Sequence, residues 1–198
     1  GKLKSYGFRK DRGIPCNKIL NDLFGLVFDH KNLYQKVVVN PLYSISKNSF
    51  YRFLNDGSQN WGKLLQETAF SIIGYLKQFC VRKERRVFII DDTLYERNRS
   101  KKVELLARCK DHTNNCYYKG FRMLTLGWSD GHTFIPTDFA MLSSQTACLN
   151  GINEDIDKRS HGYKRRLEAL KKAPEVIPNM IDRTLQNGVQ ASHVLIDT

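Results

Sequence analysis

Apolar residues recur at helical spacing through residue 79 and at strand spacing beyond it. In IPCNKILNDLFGLVF, 14–28, Ile19, Leu20, Leu23, Leu26 and Val27 fall on one helical face. SISKNSFYRFLNDG, 44–57, predicts a second helix, with Ser and Asn candidates for its cap and Gly57 to end it. WGKLLQETAFSIIGYLKQF, 61–79, repeats Trp61, Leu64, Leu65, Ile72, Leu76 and Phe79, a strongly amphipathic pattern. Residues 1–86 are therefore read as a basic all-helical region, closed by the linker VRKERR.

At residue 87 the period changes. VFIID reads as a buried strand, GFRMLTLGWSDG (120–131) as a second, and HTFIPTDFAML (132–142) as its antiparallel return across a turn at Ser129, Asp130 and Gly131. Pro136 assigns the return strand to an edge or a bulge. After a polar stretch, Leu167, Leu170, Val176, Ile177, Met180, Ile181 and Leu185 mark a helix over 163–186 that Pro174 and Pro178 should break or kink. Gly188 suits the C-cap, and ASHVLIDT is one more strand, ending in Asp197. First and last strands separated by a crossover helix tend to lie parallel and adjacent. In matched register, Asp92 and Asp197 would share one sheet edge.

Composition narrows the function classes. An apolar fraction of 41% over 198 residues is that of a folded chain. The net charge of +12 points to a polyanionic partner. It is uneven: residues 1–86 carry 16 basic and 6 acidic side chains, against 16 and 14 in 87–198. No run approaches the roughly 18 apolar residues of a membrane helix, and GKLKSYGFRKDRG has no signal core, so a cytoplasmic chain with no membrane partner is expected. Five scattered cysteines fit a reducing compartment. Cys109 and Cys116, flanking His112, do not have the spacing of a zinc knuckle.

Within this basic chain, Asp91 and Asp92 end a strand side by side. Neighbouring carboxylates repel and are costly to bury without a cation. Mg²⁺ removes that cost and leaves room for phosphate oxygens. A strand-end Asp-Asp-Thr is more often a turn or a helix N-cap, but the matching Asp197 favours metal-dependent phosphodiester chemistry.

VFIIDDT, YYKGFRMLTLGWSDGHTFIPTDFAMLSS and ASHVLIDT, in that order, resemble the strands of bacterial insertion-sequence transposases of the IS-four-like group. Those enzymes carry an Asp-Asp-Glu metal triad on an RNase H-like domain. LFGLVF and FYRFLNDGSQNWGKLL are similar to the helical region preceding their catalytic core. The resemblance implies an α/β, RNase H-like mixed sheet over 87–198, preceded by the basic DNA-binding region at 1–86. It implies that Asp92 and Asp197 are the catalytic and metal-binding aspartates for Mg²⁺ or Mn²⁺, two ions in the intact site, with Asp91 a neighbour. Water and then a freed 3′-hydroxyl would attack phosphodiesters of double-stranded DNA, at transposon ends and target, on a homodimer at the nucleoid. The family's glutamate lies beyond the second aspartate, so the 198 residues are expected to be a fragment, inactive alone.

Lys119 and Arg122 are candidates for positioning phosphates. Lys47 and Arg52, on the helix at 44–57, suit DNA reading by a helix-turn-helix; a solvated amphipathic helix is the plainer alternative. KRRLEALKK, 164–172, could track DNA phosphate, although a charge run on a helix is more often a solvated face; Trp61 and Trp128 read as core, and His132 and His193 as structural. The rival functions are a non-enzymatic helix-turn-helix DNA binder and an RNase H-like nuclease without strand transfer.

Overall fold

A computed structural model describes residues 2–10, 12–39, 44–79, 86–111 and 114–196. The chain forms two compact units, Gly1–Asn60 with Ser160–Gly162, and Trp61–Arg159 with Tyr163–Thr198.

The first unit holds α1 (Lys2–Ser5), α2 (Cys16–Phe28), α3 (Leu33–Val37) and α4 (Lys47–Leu54). Ser46 caps α4, its Oγ accepting from the Ser49 N–H at 3.3 Å. Ile19 and Leu20 of α2 and Phe50 and Phe53 of α4 are buried, as are Phe8 and Ile45, and the Phe8 and Phe53 rings lie 6.1 Å apart. The apolar face of α2 is buried only at its start: Val27 is 70% exposed. Helix α3, which the sequence pattern does not announce, is fixed by a capping box between Asn32 and Gln35.

The second unit is a mixed five-stranded sheet with helices, an α/β arrangement of the RNase H-like kind. Its strands are β1 (Val87–Glu96), β2 (Ala107–Asp111), β3 (Cys116–Ser129), β4 (Phe134–Leu142) and β5 (His193–Ile196). Central β3 runs antiparallel to β1 on one side and to β2 and β4 on the other. On its far edge β1 takes β5 in parallel, pairing Val87 with His193 and Ile90 with Ile196, as the crossover rule predicts.

The expected long helix over 163–186 is two: α6 (His161–Ala169) and α7 (Ala173–Gln186). The break falls just before Pro174, which enters α7 in its first turn, where a missing N–H costs nothing. Pro178 stays inside α7, and Gly188, at φ +77°, follows its C-cap Asn187.

Helix α5 (Trp61–Leu76) belongs with the sheet by packing, so the units divide at 60/61 and not at the 86/87 boundary expected from the change of period. Its buried positions are Gly62, Ala69 and Ile73, while Ile72 faces outward; Phe79, expected on the same face, lies beyond the end of the helix and is exposed. Ile73 joins Phe88 and Ile90 of β1, Leu124, Leu126 and Trp128 of β3, and Val176 and Met180 of α7 in the main core.

Among the described residues strand β4 pairs only with β3, and it carries a bulge opposite Leu126 and Gly127, so Pro136 satisfies both halves of its expectation. Next to the bulge, Asp138 is fully buried. Arg183 Nε reaches its Oδ2 at 2.7 Å and Arg165 Nη2 its Oδ1 at 3.3 Å, and both arginines also hold Glu168. Burial disfavours the charge on Arg183, but Asp138 and Glu168 outweigh it and raise its pKa above the ordinary arginine value. This closed set of two arginines and two carboxylates ties α6 and α7 to β4.

Candidate active site

Strand alternation separates the two adjacent carboxylates. Asp92 continues the face of Phe88 and Ile90, while Asp91 takes the opposite face and accepts a 2.6 Å bond from the Thr93 hydroxyl. Toward Asp92 the buried core gives way to a cavity of about 290 Å³. The cavity is bounded by Asp92, Arg122, the loop at 143–146, and Lys171 and Lys172 between α6 and α7.

The site is assembled from four places in the chain. Register sets Leu124 of β3 opposite Asp92 and Arg122 two pairs further on, opposite Leu94 and on the same face, so Arg122 reaches back diagonally. Its Nε donates to Asp92 Oδ1 at 3.1 Å and its Nη2 lies 2.6 Å from Oδ2, a two-pronged pair. The pair is partly exposed: 44% for the Arg122 side chain and 20% for Asp92. Ser143, just past β4, is held by its N–H to the Ala169 carbonyl (2.7 Å) and its hydroxyl to the Leu105 carbonyl (2.6 Å). Ser144 Oγ accepts from the Ala147 N–H at 3.1 Å, closing the loop into a tight turn. The α6–α7 break brings Lys171, Lys172 and the electropositive start of α7 to the same opening.

The remaining sequence-predicted residues are dispersed. Lys119 lies on β3 five residues from Leu124, does not line the cavity, and its backbone N–H donates to the Asn98 side-chain carbonyl at 2.9 Å. Lys47 and Arg52 are exposed on α4, Lys47 Nζ standing 5.7 Å from the Tyr51 ring centre and Arg52 Nε donating to the Asn48 carbonyl at 3.3 Å. Asp197 and His112 lie outside the described residues. The 143–146 loop was missed, and Lys171 and Lys172, read only as part of a possible phosphate track, were not assigned to the site, because a lysine in a helical charge run carries no sign of facing a cavity.

Asp92 offers hard oxygens to an open cavity and has a cation on both of them, so its donor chemistry fits a divalent ion such as Mg²⁺. Among the described residues no group of three or more His, Cys, Asp or Glu stands together. Cys109 is buried, which raises its thiol pKa, with Asp92 raising it further and Arg122 opposing, so zinc ligation by a ready thiolate gains no support. No described helix is long and apolar enough to cross a membrane.

No curated protein and no solved structure matches the chain. Residues 34–198 do match a family, described as DDE superfamily endonuclease, and that span takes in the whole sheet, both walls of the cavity and Asp92. By that match, over most of its length, the chain belongs to the DDE superfamily of endonucleases.

Proposed function

We propose that the protein is a DNA transposase of an insertion sequence, cleaving double-stranded DNA at transposon ends and joining the freed 3′-hydroxyl to target DNA. The observation that carries this reading is Asp92, which lines the cavity beside Arg122 within the span that matches the DDE family. Strand β5, which Asp197 follows in the sequence, is the parallel neighbour of β1; its register, Ile196 with Ile90, is offset by one from the alignment expected for Asp92 and Asp197. Asp92 and Asp197 are the proposed ligands of Mg²⁺ or Mn²⁺, two ions in the working site. When bound, such ions polarise the phosphodiester and stabilise charge on its oxygens.

The chain's own groups do the rest. Asp92 supplies carboxylate oxygens at the cavity floor. Arg122, once its prongs leave Asp92, is free to take a phosphate oxygen pair, the geometry for which guanidinium is suited. Lys171 and Lys172 add positive charge at the mouth, and the hydroxyls of Ser144 and Thr146 can donate to the same backbone. Lys47 and Arg52 present α4 to DNA in the first unit, and the enzyme works as a homodimer on paired ends.

The test is a Mn²⁺ titration followed by electron paramagnetic resonance. The parent chain should take up Mn²⁺, and Asp92→Asn should lose most of that uptake; unchanged binding in the variant would remove the metal-site reading. Product analysis on a labelled transposon end separates the rival chemistry. Joined 3′ ends support transposition, and hydrolysis alone indicates a nuclease.

A further inference from the structure

Away from the cavity, the far end of the sheet carries a second concentration of charge. There β2 pairs with β3 so that Arg108 stands opposite Lys119 and Lys110 opposite Tyr117. On the other side of β3 the Arg97 N–H bonds the Lys119 carbonyl, extending the β1 pairing by one residue. Paired residues share a face, so Arg108, Lys119 and Arg97 form one row across three strands, with neighbours about 4.8 Å apart. Lys110 and Tyr117 lie one step further on the same face, and Tyr95 on the other side of the row. Strand alternation turns the nearby acids Glu96 and Asp111 to the opposite face. Along β1, the next acid on this face is Asp91, roughly 20 Å away at about 3.3 Å per residue.

Like charges directly opposite on paired strands are destabilising. Arg108 and Lys119 nonetheless face each other, and none of the four cations makes an ion pair with a carboxylate among the described residues. The two arginines are instead held by rings. Arg97 lies 3.9 Å from the centre of Tyr95, with a further contact to its hydroxyl, and Arg108 lies 5.6 Å from Tyr117. Tyr117 is 61% exposed, so its other contacts are with solvent. A ring already occupied by a guanidinium is a poor platform for a base. Arg97 spends one N–H of Nη1 on the Glu96 carbonyl and one of Nη2 on the Tyr95 hydroxyl, and the second hydrogen on each nitrogen remains for a phosphate.

We propose that this outer face of β1, β3 and β2 is a docking surface for the phosphate backbone of duplex DNA, engaged without regard to sequence. It extends the enzyme's hold on DNA beyond the cavity and does not depend on Asp92.

The test is fluorescence anisotropy of a labelled duplex against the full chain across a salt series. Each phosphate contact contributes about 0.9 to the slope of log affinity against log salt. Arg108→Glu with Lys110→Glu should therefore lower the slope by about 2 and weaken binding at least tenfold at low salt. Folding is not at risk, because Arg108→Glu converts a repulsive pair with Lys119 into an attractive one, and the melting temperature should hold or rise. Lys158→Glu with Arg159→Glu changes net charge equally on another exposed stretch and should leave most of the affinity in place. Equal weakening by the two double variants, or an unchanged slope in the first, overturns the proposal. So does equally tight binding of a single strand or of duplex RNA. The Arg108→Glu, Lys110→Glu variant should still take up Mn²⁺ as the parent chain does, so failure of the metal-site reading and failure of this surface are separately visible.

Discussion

At the scale of single residues, the pair Asp91 and Asp92 shows how little adjacency in sequence says about adjacency in space. Alternation sends the two carboxylates to opposite faces, and only Asp92 meets the cavity. The family resemblance singled out Asp92 over Asp91, and Asp92 is the one of the two that lines the cavity. Arg122 was legible as a basic residue near the site, but its two-pronged hold on Asp92 follows from strand register, which a linear sequence does not display. A half-exposed pair of this kind is worth about 1 kcal/mol. If a divalent ion must displace it, Arg122→Gln should tighten Mn²⁺ binding about fivefold, as measured by calorimetric titration. Weaker binding in the variant would mean that Arg122 helps the ion and does not compete with it.

At the scale of elements, the strands announced themselves better than the helices' neighbours did. VFIID was visible, yet β1 runs on through Thr93, Leu94, Tyr95 and Glu96, where polar residues obscure a pairing supplied by β3. Strand β2 has no sequence signal, since Arg108 and Lys110 alternate with only Ala107 and Cys109; it exists because β3 offers it a partner. Helix α5 was visible as a helix, but its buried face was misassigned. The large residue Ile72 points outward, Phe79 lies exposed beyond the helix end, and the small ones, Gly62 and Ala69, point in. That choice makes a paired prediction. A Cβ on Gly62 would meet Arg165 Nη2 at 2.1 Å, and that guanidinium is pinned by Asp138, Glu168 and the Phe139 carbonyl. Gly→Ala in a helix interior gains about 1 kcal/mol, but overpacking costs about 1–3 kcal/mol. Gly62→Ala should therefore lower the melting temperature. Gly74→Ala, with nothing within 4 Å of the new atom, should raise it. If both variants move the same way, the closeness of Arg165 to α5 is not what constrains Gly62.

At the scale of the whole molecule, stability depends on a few carboxylates whose charge the fold protects. Burial alone would raise the pKa of Glu104, but hydrogen bonds from Arg166, at 2.7 Å, and from the Asn153 N–H outweigh it and leave the group below the usual carboxylate range. In the first unit, burial of Asp56 is likewise outweighed by bonds from Ser58 and Gln59. A folded pKa below the unfolded value, about 4.3 for Glu, gives stabilisation that is complete above that value and lost as pH falls through the folded pKa. Melting temperatures measured through this acid range should fall with pH, and Glu104→Gln should flatten part of the fall. An unchanged acid limb in the variant would remove Glu104 from the account.

The overall α/β class and the parallel apposition of first and last strands were readable because strand order and crossover handedness leave few alternatives. The division at 60/61 was not, since it depends on which surface α5 buries and not on where the apolar period changes. The basic lining of the cavity was hidden for a related reason. Lys171 and Lys172 acquire their position from the interruption between α6 and α7, which places the end of one charge run at a cavity mouth.

The Arg122–Asp92 pair also bears on the order in which a working enzyme is made. A carboxylate that needs an ion for neutrality cannot settle until the ion arrives, and such proteins fold only when loaded. Here the counter-charge is encoded in β3 itself. Under the proposed function, assembly and metal loading thus become separate events, and the chain should fold in chelator as it does without it.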